Sequence, residues 1–339
     1  MRPLTMRRVI WTCALLLGIL FAVAVMALKL GAVPISVSDL IVSLGRLAIG
    51  RTDQLPIDYR LIVFDLRLPR IVLGALVGAA LSVAGAGYQA LLRNPLADPY
   101  VLGVSSGSAL GAVVALQFLP QIVLAPPLGA FLGAILTITG VYYLGRREGH
   151  LDSTTLLLAG IISASFLSAI IMFLMTTLTS RDVRGMAFWM MGDLSTPLVP
   201  SLRWFFVVAL VVGIGAIYTT SADLNLLITG EREAMHLGVD VTRVKLVVYV
   251  AASGLTALAV SASGAIGYVG LLVPHVMRFL FGSDYRLLIP ASALGGAIAL
   301  VLADTLARTI IAPSELPVGA MTAIAGAPLF IYLLRRSMR

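Results

Sequence analysis

Few side chains in the 339-residue sequence have types and spacing that could do chemistry, and most of these are arginines. Asp304 stands inside an apolar run with Arg308 four residues on, a spacing that makes the two neighbours on a helix and lets each offset the other's charge. His275 follows Pro274 and lies close to Arg278. An ionisable group inside a bilayer is costly and is usually functional, so Asp304 and His275 are the positions at which a proton relay could sit. A self-neutralising pair and a helix-end histidine are the competing structural readings. His150, His236 and His275 are far apart and none has a partner at metal-binding spacing, so no metal site is expected on this chain. Cys13 is the single cysteine, which excludes an intrachain disulfide and a cysteine-held cluster. No Gly-x-x-x-x-Gly-Lys-Ser/Thr loop occurs, and neither Lys29 nor Lys245 follows a glycine. ATP hydrolysis by a phosphate-cradling loop is therefore excluded for this chain.

The elements that must position these residues are apolar. Hydrophobic residues make up 59% of the sequence and charged ones 12%, against about 25% charged in an ordinary soluble domain. Apolar runs cover residues 9–28, 71–92, 101–119, 128–144, 155–178, 202–219, 246–262, 266–281, 288–310 and 316–334. A bilayer is spanned by roughly 20 apolar residues in a helix, so the expected fold is an all-α polytopic membrane protein of about ten transmembrane helices in one domain, residues 1–339. The first run carries an Ala22-Val23-Ala24 triplet like a signal-peptidase site, but it exceeds the apolar length of about 7 to 15 residues typical of a signal peptide and reads as a retained helix.

An even number of crossings puts both termini on one side. Arg2, Arg7 and Arg8 at one end and Arg335, Arg336 and Arg339 at the other make that side the cytoplasm. Arg146, Arg147, Arg232, Arg243, Lys245, Arg278 and Arg286 fall on the same side. Arg46, Arg51, Arg60, Arg67 and Arg70 break the pattern in and just after an external amphipathic segment, residues 31–66, as do Arg181 and Arg184 after the fifth run. The formal charge of +8 is accounted for by lipid headgroups and calls for no nucleic acid. Glycines four residues apart, as in Gly74 and Gly78, Gly103, Gly107 and Gly111, or Gly129 and Gly133, read as close helix contacts.

Two polar intervals stand out on the cytoplasmic side. Leu92 to Pro99, with its two prolines, reads as a rigid turn. Within the loop 221–243, the stretch Gly230 to Asp240 reads as a short amphipathic helix with Ala234, Met235 and Leu237 apolar among charges and Gly238 as its stop. A solvated connecting helix is the plainer alternative.

The sequence resembles the FecCD family of permease subunits of ATP-driven importers for ferric siderophores, haem and cobalamin. The resemblance rests on RLPR starting at Arg67, the block GAALSVAGAGYQALLRNPLADPYVLGVSSGSALGA, GEREAMHLGV, GAIGYVGLLVPHVMRF, and ADTLAR followed by ELPVGAMTAIAGAPLF, in the family's order. It implies a multi-pass permease of an ABC transporter in the bacterial inner membrane, with a ferric siderophore favoured as cargo and cobalamin or haem next. It also implies partners: a second permease copy, two ATPase subunits that bind ATP and Mg, and a periplasmic substrate-binding protein. No cofactor is expected on the chain itself.

The same resemblance implies roles for individual residues. Ser153 and Thr154 match a cytoplasmic gate, and Asn94 and Leu96 a second constriction. The translocation path follows the fifth and tenth helices and the external segment 181–194, with Ser163, Ser165, Thr176, Thr177, Met190 and Met191 along it; hydroxyls without fixed charge suit a bulky cargo that must not be trapped. Glu231, Arg232, Ala234, Met235, Leu237 and Gly238 match the element that couples to the ATPase. Arg67, Arg70 and Arg308 match arginines that dock the binding protein, a role suited to a planar fork that can hold a carboxylate. An ion-coupled secondary transporter or a membrane-embedded enzyme using Asp304 or His275 is the alternative.

Overall fold

In hydrocarbon no water is present to satisfy a free peptide group, so long apolar runs become helices. The computed structural model describes residues 4–337 apart from positions 32, 34, 37–41, 43, 44, 47–56, 148, 149, 177–185, 197 and 199. Thr177, Arg51, Arg181 and Arg184, together with Arg2 and Arg339, lie outside the described residues. Among those described, seven helices are long and apolar enough to cross a membrane, and three shorter ones, over 104–118, 269–281 and 318–331, bring the number to ten.

In chain order the helices are α1 (Met6–Lys29), α2 (Leu68–Leu91), α3 (Val104–Phe118), α4 (Ala125–Leu144), α5 (Ser153–Met175), α6 (Pro200–Thr219), the short α7 (Ser221–Leu227) and α8 (Glu231–His236), α9 (Val241–Ser263), α10 (Val269–Phe281), α11 (Tyr285–Thr309) and α12 (Val318–Ser337). A two-residue antiparallel ladder, β1 (Arg146–Arg147) with β2 (His150–Leu151), joins α4 to α5.

The second apolar run begins earlier than its sequence suggests. Helical winding starts at Ile57 and passes through a π-wound stretch, Leu61–Arg67, into α2 without a break. Pro69 looks like a helix start in sequence, but at the first turn of α2 its missing N–H leaves no gap, and the Leu68 N–H reaches back to Val63 O instead. Part of the expected external segment is thus helix.

The central element is α2, which packs against α9, α10 and α11. Of its most apolar window 83% is buried, whereas α1 buries only 11% of its own and leaves the rest exposed. Glycine makes the tight contacts. A Cβ on Gly78 would overlap the Gly296 carbonyl of α11, and one on Gly111 of α3 would overlap the Gly129 carbonyl of α4. The four-residue spacings in the sequence are therefore packing seams. Tyr88 of α2 bonds Ser253 of α9, and Tyr249 donates to Ile138 O of α4 at 2.8 Å, so polar groups inside the bundle meet each other.

The shortness of α3 and α10 has a shared cause. Both are entered by polar backbone that dips into the bundle: a 3-10 turn, Pro99–Leu102, capped by Asp98, and the segment 264–268. These two lead-ins satisfy each other where Ile266 N donates to the Tyr100 hydroxyl at 2.9 Å, while Gly270 lies against Leu81 and Pro99. At the end where α11 begins, Asn225 of α7 donates to Asp284 at 2.8 Å and accepts from Tyr285 N at 2.9 Å. The Arg286 guanidinium holds the Asp284 carboxylate down at about 2.

The glycine seams make a paired prediction. Gly111→Ala should lower the thermal stability of the purified protein in detergent, by about 1–3 kcal/mol for an overpacked contact. Gly140→Ala, on the neighbouring α4 where an added Cβ meets nothing within 4 Å, should leave it unchanged or slightly raised. Equal melting curves for the two variants would remove the seam from the account.

Candidate functional site

Polar side chains collect at the two ends of the bundle. At the end where α1 finishes, Asp304 of α11 is 2% exposed and takes two arginines: Arg308 Nε at 3.0 Å one helical turn on, and Arg70 Nε at 2.8 Å from the start of α2. The i to i+4 pair was legible in sequence; the second arginine, 234 positions away, was not. Arg70 continues outward through Nη1 to Glu315 at 2.7 Å. Arg67, on the π-wound turn, points to the end of α1, where its Nη1 donates to Leu28 O at 2.6 Å and its Nη2 to Val33 O. Arg308 reaches the same terminus, with Ala27 O and Leu30 O each at 3.5 Å. Two arginines from other helices thus cap the carbonyls that α1 leaves unpaired, where its dipole is negative.

A cavity of about 330 Å³ opens over this cluster, lined in part by Arg67, Arg70, Arg308, Ser195 and Glu315. Arg67 and Arg308 are each 6% exposed and bond the end of α1, while Arg70, 12% exposed, continues to the exposed Glu315. Asp304 lies between two arginines that offset its charge. His275, half-buried on α10, lies far from that pair in sequence, and among the described residues no group of three or more His, Cys, Asp or Glu could hold a metal ion.

At the opposite end, Arg93 takes a left-handed conformation at φ 46° and turns the chain after α2; the Leu96 N–H then donates to Asn94 Oδ1 at 2.9 Å. Ser153, the first residue of α5, donates to Leu91 O at 3.2 Å. The two gate elements of the sequence reading are therefore adjacent, with Thr154 and Leu96 exposed beside them. Gln89, which sequence reasoning passed over, ties this region to α10: it is buried, donates to Leu271 O at 3.2 Å and accepts from Arg278 at 2.8 Å.

The stretch from Gly230 folds as expected into a short helix, α8, ended at Gly238 with φ +87°. Its apolar residues divide into two sets. Ala234 is buried against the bundle, whereas Met235 is 53% and Leu237 65% exposed. Arg232 is exposed beside them, and Glu231 is bound at its root by Lys245 at 2.6 Å.

On α5 the hydroxyls of Ser165 and Thr176 donate to their own helix, to Ile161 O at 3.0 Å and Phe173 O at 2.7 Å; Ser163 is half-buried. Large apolar side chains such as Ile162, Phe166 and Phe173 stand exposed along the same helix, and Met190 and Met191 are exposed near its outer end.

Ten apolar helices with polar clusters confined to their two ends define an all-α polytopic membrane protein. The sequence matches the FecCD transport family over residues 17–336, and the chain belongs to that family. It is 44% identical over 284 residues to the cobalamin import system permease protein BtuC of Halobacterium salinarum, covering 83% of this chain and 75% of that one. It is 41% identical over 282 residues to the hemin transport system permease protein HmuU of Yersinia pestis, covering 80% and 82%. Among solved structures it resembles an inward-facing metal-chelate type ABC transporter with a TM-score of 0.82 at 31% identity, over 96% of this chain and 99% of the other.

The shared carboxylate separates anchor from relay by experiment. Asp304→Asn keeps the shape but strands two arginines, so the melting temperature should fall by an amount equivalent to about 3 kcal/mol. Uptake per folded molecule should persist. A variant that folds at wild-type stability yet transports nothing would instead make Asp304 a relay.

Proposed function

We propose that this chain is the permease subunit of an ABC importer that moves a metal chelate into the cytoplasm, with ATP bound and hydrolysed on separate subunits. The observation that carries this reading is α8: a short helix rooted in the bundle by Ala234 and Glu231 that offers Met235 and Leu237 outward. Large apolar side chains on a rigidly held exposed helix need a partner that covers them, and a helix seated in a partner's groove moves with that partner as a unit. Arg232 and Gly238 complete the docking element, the charge orienting it and the glycine ending it. The relatives named for cobalamin and hemin transport support a large metal chelate as the cargo class, cobalamin or haem ahead of a ferric siderophore.

The remaining roles follow from placement. Two copies of the permease would set the exposed faces of α5 and α12 around a central path, with Ser163, Ser165, Thr176, Met190 and Met191 along it and Ser153, Thr154, Asn94 and Leu96 closing its cytoplasmic end. Thr177 belongs to the same stretch of sequence. The cluster of Arg67, Arg70 and Arg308 is the periplasmic docking site for the binding protein, with Arg70 as the contact and the other two as its base.

Leu237→Asp places a charge in the groove contact. Copurification of the ATPase and uptake of cobalamin, haem or ferric siderophore, whichever the wild-type complex accumulates, should both be lost. Unchanged copurification and uptake would return α8 to a connecting loop.

At the opposite face, Arg70→Glu should weaken capture of the binding protein at low salt. Glu315→Gln, which frees Arg70 Nη1, should strengthen it, and both effects should shrink as salt rises. Identical affinities for the wild type and both variants would remove Arg70 from the docking surface.

A further inference from the structure

Lys29 and Lys245 are the only lysines of the sequence, and Lys245 is buried, 4% exposed, near the start of α9. A buried ammonium has three donors to satisfy and a large cost if they are not met. Its Nζ lies 2.6 Å from Glu231 Oε1, at the first residue of α8, and 3.0 Å from the carbonyl of Leu151, the last residue of β2. Leu151 is followed by Asp152, which caps α5 by accepting from Thr155 N at 2.8 Å, and then by Ser153. The same Glu231 oxygen is 3.7 Å from Arg93 Nη2 in the turn after α2, and Ser153 closes the ring by donating to Leu91 O.

We infer that Lys245 is the positioning residue that locks α8 to the gate: through one ammonium it holds the root of the coupling helix and the turn that places Ser153 in a fixed relation. This rests on the reading of α8 as the element that meets the ATPase. Neither bond can be given up alone without stranding a buried charge or carbonyl, so a displacement of α8 carries the Leu151–Ser153 turn with it. Packing between α8 and α9 is slight by comparison, because α8 has only six residues and its one fully buried side chain is an alanine. Lys245 acts through its two protein partners, Glu231 and Leu151, and its part is to keep the elements that bear them in register.

The test uses the complete complex of permease, ATPase and binding protein in proteoliposomes, with Lys245→Met, Lys245→Arg and Glu231→Gln. Lys245→Met should still copurify with the ATPase, since Met235 and Leu237 are untouched, but cargo moved per ATP hydrolysed should fall about tenfold. A cysteine at Ser153, whose reactivity to a thiol reagent changes with nucleotide in the parent, should lose that dependence. Lys245→Arg, which keeps a donor to both partners, should recover most of the ratio. Should Lys245→Met fail to assemble, Glu231→Gln, isosteric and uncharged, is read instead and should lower the ratio in the same direction. Wild-type transport per ATP in a folded Lys245→Met complex, or in Glu231→Gln where that stands in, overturns the inference. Failure of the underlying reading is distinguishable, because it shows as a Leu237→Asp complex that still binds its ATPase.

Discussion

A charge or a peptide carbonyl inside an apolar bundle has no water to turn to, and most of this structure is arranged around that constraint. The carboxylate of Asp304 is the clearest instance. With two arginines on it and a third beside them, a buried anion draws together α1, α2, α11 and the loop that bears Glu315, beside an apolar cluster that includes Leu28, Val63, Ile71 and Val301. The cations also serve the backbone, since the carbonyls that end α1 have no hydrogen-bond partners of their own and receive guanidiniums. Replacing the cluster by hydrocarbon would leave that terminus unsatisfied in the outer part of the bundle.

The same constraint shapes the opposite face. There the buried charge is a cation, Lys245, and its partners are α8, the ladder strand before α5, and by way of Glu231 the turn after α2. At the end where α1 finishes buried ion pairs fasten helices to each other; at the opposite end one ion pair fastens short segments to each other across the ends of helices. Between the two faces the bundle is held by close glycine contacts and by paired hydroxyls such as Tyr88 with Ser253, and it carries no fixed charge along the exposed side of α5 among the described residues.

The two lead-ins that enter the bundle, at Pro99–Leu102 and at 264–268, belong to the same account. Irregular backbone at that depth survives only where protein surrounds it, and here each strip of peptide is met by the other and by the glycine at position 270. The cost is two short helices, α3 and α10, each buried on the side that faces α2 or α9.

The sequence by itself determined the all-α polytopic fold, the number and approximate bounds of the apolar helices, the glycine seams, the Asp304 and Arg308 pair and the short helix at 231–236. These are local properties: a run of apolar residues, a spacing of four, a glycine stop are each read within a few turns of one helix. The family was legible for the same reason, in contiguous blocks such as GEREAMHLGV. Tertiary structure alone decided which arginine shares Asp304, that Arg67 and Arg308 bond the end of α1, that Ala234 is buried, and that Lys245 joins α8 to the strand before Ser153. Each of those depends on partners tens to hundreds of residues apart, and on the side of a helix that faces inward once all its neighbours are in place. In a chain apolar on nearly every face, hydrophobic periodicity carries too little contrast to say which side that is.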